Sequence, residues 1–202
     1  MFVVKILHFE SEIMPQAKVL DEKELKKVIQ HIDAFDRHSE RNRAIILLTY
    51  YCGMRVSEVA SLKTSQVVNA VGSINDIIYL SSSQTKDSQS RRIFVSTKAK
   101  LALKRYLSHK KSILSQEFLF QTQKSGSFNT NALTQLVRRL YQCAGFVGAT
   151  SHSGRRSFIT KLATSGVSVR VIAAAVGHSS IATTQRYIDI NDNLVRNAVE
   201  LV

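Results

Sequence analysis

Apolar side chains recur at helical spacing along most of the chain, but between about Ser65 and Ser96 the pattern changes to β-branched and aromatic runs separated by polar turns. That contrast restricts the fold to the α+β class, mainly helical with a small antiparallel β-sheet. The first helix is EKELKKVIQHIDAF, in which Leu25, Val28, Ile29, Ile32 and Phe35 fall on one face. Asp21 stands at its cap and Glu24 follows three residues later, the spacing of a capping box. NRAIILLTYYCG reads as a largely buried helix ended by Gly53, after which RVSEVASL starts another with Val56, Val59 and Leu62 on one side. Within the exceptional window, SQVVNAVG, INDIIYLSS and RRIFVS read as strands. Helical spacing returns in KAKLALKRYLSHKKSIL, where Leu101, Leu103, Tyr106 and Leu107 read as packing groups. It continues in NTNALTQLVRRLYQCAGF, RRSFITKLATSG and VRVIAAAVG, and the chain ends in DNLVRNAVELV, with Leu194, Val195, Ala198, Val199 and Val202 on an apolar face.

A length of 202 residues suits one substantial core rather than two full domains. Lys and Arg number 28 against 15 Asp and Glu, a net charge of +13 that favours a polyanionic partner through phosphate contacts and counterion release. Nucleic acid leads that class, although an anionic membrane or ribosome surface would answer the same charge. Cys52 and Cys143 sit in apolar contexts without metal-ligand spacing, so both are expected as reduced core thiols, with a single disulfide as the alternative. The opening MFVVKILHF is short and interrupted by Lys5 and His8, which fits neither a membrane span nor a signal peptide. A cytoplasmic location and no membrane partner are the expectations.

Six side chains invite a chemical reading. Arg55 lies at a helix junction, where donors can be fixed around an anion. His152 and Arg155 are three apart in SHSGRR, a spacing that aims both into one pocket from a first helical turn. Two guanidiniums, Arg55 and Arg155, suit the nonbridging oxygens of a phosphate and the charge of a pentacoordinate transition state. Lys86 lies on or beside a hairpin turn, where an ammonium can serve as a proton donor that arginine's higher pKa makes difficult. His178 precedes Tyr187 by nine residues and suits phosphate orientation or proton movement. Tyr187 needs cations or a base nearby to act as a nucleophile, since a free phenol has a pKa of about 10. Taken singly, each residue has a plainer role: Arg55 paired with Glu58, His152 as a cap, Tyr187 packed on Val176 or Ile181.

The ordered series YCGMRVSEVASL, TKDSQSRR, SHSGRRSFITKLATSG and VGHSSIATTQRYID resembles the catalytic domain of tyrosine recombinases, the phage-integrase family, over roughly residues 18 to 190. The resemblance implies a mainly helical tyrosine-recombinase catalytic fold, with residues 1–17 as an N-terminal arm or linker, 18–190 as the catalytic domain and 191–202 as a C-terminal helix or tail. It implies that Arg55 and Arg155 clamp the phosphate, with Glu58 supporting Arg55. Lys86 would be the general acid, and His152 would assist phosphate activation and proton transfer. His178 matches the later His/Trp position and Tyr187 the nucleophile. The implied activity is site-specific recombination through a 3′-phosphotyrosyl intermediate, with a 5′-hydroxyl released and no cofactor or catalytic metal. The implied partners are double-stranded DNA, a DNA-bound homotetramer and an accessory DNA-bending protein.

Three features depart from the family's usual layout. TKDSQSRR replaces a shorter or Gly-containing turn, and RRS replaces an RHT-like continuation. Residues 1 to 20 are too few for the helical DNA-clamping domain that commonly precedes the catalytic one. The chain is therefore expected to be a naturally short member, on the scale of fimbrial phase-switch recombinases, or an excised fragment, in either case with reduced DNA grip. Two other functions fit part of the pattern. One is a non-catalytic, sequence-specific DNA-binding regulator, with VRVIAAAVGHSSIATTQRY as two helices around a turn. The other is a type IB topoisomerase-like DNA relaxing enzyme.

Overall fold

The computed structural model describes residues 16–110, 117–122, 126–187 and 199–200. Nearly all of the proposed C-terminal helix and of the N-terminal arm lies outside these residues. Helix α1 (Glu22–Phe35) opens with the expected capping box: the Asp21 carboxylate accepts from the Glu24 amide at 2.7 Å and the Glu24 carboxylate from the Asp21 amide at 3.1 Å. Helix α2 (Ser39–Cys52) ends at Gly53, whose φ of 61° turns the chain into α3 (Val56–Ala60). Helix α4 (Thr64–Val67) precedes strands β1 (Ile77–Leu80) and β2 (Arg91–Phe94). Helices α5 (Thr97–Ser108), α6 (Thr130–Cys143), α7 (Ser153–Thr164), α8 (Val169–Val176) and α9 (Ile181–Gln185) follow.

The fold is mainly helical with a small antiparallel sheet, as expected, but the sheet has two strands rather than three. SQVVNAVG is not a strand. Its first half closes into α4 because the Gln66 side chain accepts the Lys63 amide at 2.9 Å, an N-cap bond that favours a helical turn. Its second half is a tight turn in which Asn69 Oδ1 accepts from the Val71 and Ser73 amides, leaving only the single bridge of Val68 with Ile74. In the true sheet Ile78 pairs with Ile93 and Leu80 with Arg91. Alternation sends Ile78, Leu80 and Ile93 into the core and Tyr79 and Phe94 outward, so Arg91 enters on the inner face.

From Ala44 to Cys52 helix α2 is largely apolar and buried, because it is the centre of the molecule, with α1, α5 and α7 packed around it. Its Ala44, Ile45, Ile46 and Leu48 are fully buried. On α5 the buried face comprises Ala99, Ala102, Leu103, Tyr106 and Leu107; Leu101, expected to pack, points to solvent and is 70% exposed. Phe35, at the end of α1, is also exposed and rests on His31. Both cysteines are free thiols, but Cys143 ends α6 in an exposed position while Cys52 alone joins the core. Among the described residues no helix is long and apolar enough to cross a membrane.

Helix α7 approaches α2 so closely that a side chain at Gly154 has no room: a Cβ there would lie 2.2 Å from Thr49 Oγ1. A second contact fixes the same pair, since Phe158 of α7 lies against Gly53, where a Cβ would meet its ring at 2.5 Å. These close approaches set where α7 presents its first turn. Gly154→Ala should cost about 1–3 kcal/mol through overpacking, read as a melting temperature lower by several degrees. Gly126→Ala, at a site with nothing within 4 Å, should leave it nearly unchanged in the same thermal melt.

Candidate active site

The centre of the site is a carboxylate buried beneath two guanidiniums. Glu58, on the first turn of α3 and 0% exposed, accepts from the Arg55 backbone amide at 2.7 Å, from Arg55 Nη1 at 3.1 Å and from Arg91 Nη1 at 3.0 Å. A lone carboxylate in such a place would be costly, and two charge-assisted partners offset that cost. The backbone bond caps α3, so one side chain both starts the helix and orients the Arg55 head.

Arg155 ties the surrounding elements together. It projects from the first turn of α7, is 5% exposed, and donates from Nη1 to the Gly53 carbonyl and from Nη2 to the Val176 carbonyl, each at 2.7 Å. Arg91 also donates to the Val176 carbonyl, and to Ala175 O at 3.4 Å. Arg55 Nη2 reaches the Gly177 carbonyl at 3.2 Å. Three guanidiniums thus meet the carbonyl-rich C-terminal end of α8, where the helix dipole favours cations. Burial, then the charges of Arg55 and Arg91, bring the Arg155 pKa down to about 9, against the pull of Glu58 and Tyr187. It remains protonated at neutral pH.

Gly177, with φ of 63°, ends α8 and turns the chain so that His178 faces the guanidiniums. The His178 imidazole shares a 2.9 Å hydrogen bond between Nδ1 and Thr184 Oγ1. Its burial, and next the charges of Arg155, Arg55 and Arg91, lower its pKa to about 4. Its ring stacks on that of Tyr187, with centroids 5.9 Å apart. Tyr187, just beyond α9, packs its ring on the small cluster of Ile159, Ile172 and Val176. The packing role and the site placement read from the sequence therefore coexist.

His152 occupies the N-cap position of α7, one turn before Arg155 and open to solvent. Partial burial of its ring, then the charges of Arg155, Lys86 and Arg55, hold its pKa below the usual imidazole value. Lys86 is exposed on the connection between β1 and β2, and its neighbour Asp87 pairs with Arg55 Nη2 at 3.2 Å. Arg55, Lys86, His152, Arg155, His178 and Tyr187 all line one cavity of about 360 Å³. Glu58 lies beneath it, holding Arg55. Every residue singled out from the sequence is brought to this place.

Arg91, Asp87 and Arg156 were not singled out from the sequence. Arg91 carried a usable signal, because RRIFVS places it two residues from Ile93 and four from Val95, on the inner side of an alternating strand. Asp87 carried none beyond its neighbourhood to Lys86. Among the described residues there is no group of three or more His, Cys, Asp and Glu side chains able to hold a metal. The cationic hollow suits an anion with several oxygens, and the phenol and imidazole beside it suit displacement at such a centre.

The model of the Phage integrase family matches residues 18–193. The tyrosine recombinase XerA of Pyrococcus horikoshii is 30% identical over 186 residues, covering 91% of this chain and 60% of that protein. The tyrosine recombinase XerC of Lactobacillus delbrueckii subsp. bulgaricus is 29% identical over 174 residues, covering 83% and 57%. A crystal structure of XerA recombinase superimposes with a TM-score of 0.74 at 28% identity, over 93% of this chain and 64% of that one. The chain spans less than two thirds of the length of these relatives.

The pKa order of the site makes a direct expectation. His178 should stay neutral until the pH approaches about 4, so its imidazole resonances should hardly move between pH 8 and about 5.5 in an NMR titration. Its folded-state pKa lies below the unfolded value of 6.5, so the unfolded chain takes up the proton first as the pH falls. Stability should therefore decline through the window from about 6.5 toward about 4. His178→Gln should remove part of that decline in melts run across the same range.

Proposed function

The chain belongs to the phage integrase family of tyrosine recombinases, and we propose that it cleaves and rejoins DNA strands at specific sites through a 3′-phosphotyrosyl intermediate. The observation that carries this reading is the single cavity shared by Tyr187, two arginines, two histidines and Lys86. A phosphodiester entering it would meet Arg55 and Arg155 at its nonbridging oxygens. Each guanidinium has five N–H donors, and Arg155 spends two on the Gly53 and Val176 carbonyls, leaving the others for an oxyanion. Asp87 holds a donor of Arg55 that a phosphate oxygen would take, so its carboxylate acts as a counter-ion that DNA displaces.

In the proposed first step the Tyr187 oxygen forms a bond to phosphorus while the bond from phosphorus to the 5′ oxygen breaks. The phenol gives up its proton, for which the neutral His152 imidazole is a suitable acceptor. Lys86 donates a proton to the departing 5′ oxygen. Charge accumulating on the equatorial oxygens is stabilised by Arg55 and Arg155, whose positions are set by Glu58 and the backbone carbonyls. His178 orients the phosphate and the phenol ring. Attack by the 5′-hydroxyl of a partner strand reverses these movements and joins the exchanged strand, so bond energy is conserved and no nucleotide is consumed.

Double-stranded DNA is the partner that the +13 charge fits. The wider reading has a DNA-bound homotetramer assembled from residues 18–190 with the flanking 1–17 arm and 191–202 tail, an accessory DNA-bending protein, and a cytoplasmic setting.

Incubation with nicked suicide duplexes, followed by denaturing electrophoresis and sequencing of captured DNA, tests the chemistry. The unsubstituted protein should form a covalent adduct and Tyr187→Phe none. Relaxation of a single duplex with no paired site would place the activity with topoisomerases instead. Lys86→Ala should slow cleavage about 10²–10⁴-fold, the usual contribution of a general acid. Replacing the leaving 5′ oxygen by sulfur, which needs no proton, should restore most of that rate. A sulfur substrate cleaved as slowly as the ordinary one would remove Lys86 from the acid role.

A further inference from the structure

Tyr187 lines two cavities. One is the catalytic hollow; the other, about 420 Å³, is lined by Arg156 and Arg186 as well as by His152, Thr183 and Tyr187. His178 lines only the first of these two and stacks on the ring at 5.9 Å. Arg156 lines only the second, and its guanidinium carbon lies over the same ring at 5.9 Å from the centroid. Its Nε is buried, and it finds no hydrogen-bond partner among the described residues. A half-buried arginine with an unsatisfied donor has no evident task in packing alone.

We propose that Arg156 is a positioning residue for Tyr187, its guanidinium holding the phenol ring from the side away from the phosphate while His178 holds it from the catalytic side. The proposal rests on the strand-cleavage reading above. A cation over an aromatic face is attracted by the ring's negative quadrupole, and the attraction grows when the ring is shielded from water. It also grows as the phenol becomes a phenolate, because the departing proton leaves more electron density on the ring. The contact therefore favours the nucleophile in its attacking form and restricts where its oxygen lies.

The location of Arg156 separates this role from that of a DNA-phosphate contact. Arg55 and Arg155 line the catalytic hollow, whereas Arg156 reaches the chemistry through the tyrosine ring. A phosphate contact would weaken DNA binding and make it less salt-dependent by about one counterion. A ring clamp leaves both unchanged and slows the bond-making step.

The test uses the full chain and a nicked suicide duplex carrying a site that the unsubstituted protein binds and cleaves. Arg156→Gln should slow adduct formation at saturating DNA about 3- to 30-fold, the range of a partly shielded cation–π contact. Its dissociation constant and salt slope should match those of the unsubstituted protein, and Arg156→Lys, which keeps the cation, should recover most of the rate. An unchanged adduct rate in Arg156→Gln overturns the proposal. So does equal slowing by both substitutions, which marks simple packing, and so does weaker, less salt-dependent binding, which marks a phosphate contact. If the unsubstituted protein forms no adduct on any duplex it binds specifically, the strand-cleavage reading falls and takes the ring clamp with it.

Discussion

The rest of the site depends on one buried carboxylate. Glu58 lies beneath the cationic hollow, bonded to Arg55 and Arg91 and to the backbone amide that starts α3. Without it, the guanidiniums of Arg55 and Arg91 would face each other in a poorly hydrated space, together with Arg155. Repulsion would drive at least one of them toward solvent. With it, the sheet, the α2–α3 junction and the end of α8 share one electrostatic anchor. The fold contributes the complementary half: the Val176 carbonyl at the end of α8 accepts from both Arg91 and Arg155.

This arrangement explains why the hollow is organised before any anion arrives. Much of the catalytic advantage of charged donors comes from their being fixed in advance, since a flexible cation must be ordered during the reaction. Arg155 is fixed by two carbonyls from separate elements, and the close approach of α7 to α2 at Gly154 fixes the helix that carries it. Asp87 and Lys86 belong to the exposed β1–β2 connection instead. The rigid half of the site carries the phosphate-binding charge, and the group assigned to proton donation sits on a surface turn.

The helical elements were legible because their apolar residues follow a helical period and their ends carry recognisable caps, as at Asp21 and Gly53. The strand reading of SQVVNAVG failed because side-chain bonds from Gln66 and Asn69, rather than the β-branched pair Val67 and Val68, decide its geometry. Leu101 misled because one leucine in a run of apolar and basic residues does not reveal which face of α5 it occupies. His152 and Arg155 were readable as a pair, since a spacing of three positions on one helical turn determines their juxtaposition. The stack of His178 on Tyr187 was not, because it depends on how α8 and α9 meet at Gly177. Arg91 was overlooked although its strand alternation pointed inward. The convergence of all these groups on one cavity is tertiary and could be reached from the sequence only through the family resemblance.

The central claim, that Glu58 is the shared anchor of the guanidinium cluster, is tested most directly by a double-mutant cycle joining Glu58→Gln and Arg91→Gln, read by equilibrium unfolding. Glu58→Gln should cost about 3–5 kcal/mol, because it leaves two guanidiniums without their shared carboxylate; Arg91→Gln should cost less, because Arg55 still balances Glu58. The double substitution should cost clearly less than the two together. Strictly additive losses, or a Glu58→Gln protein as stable as the original, would contradict the account.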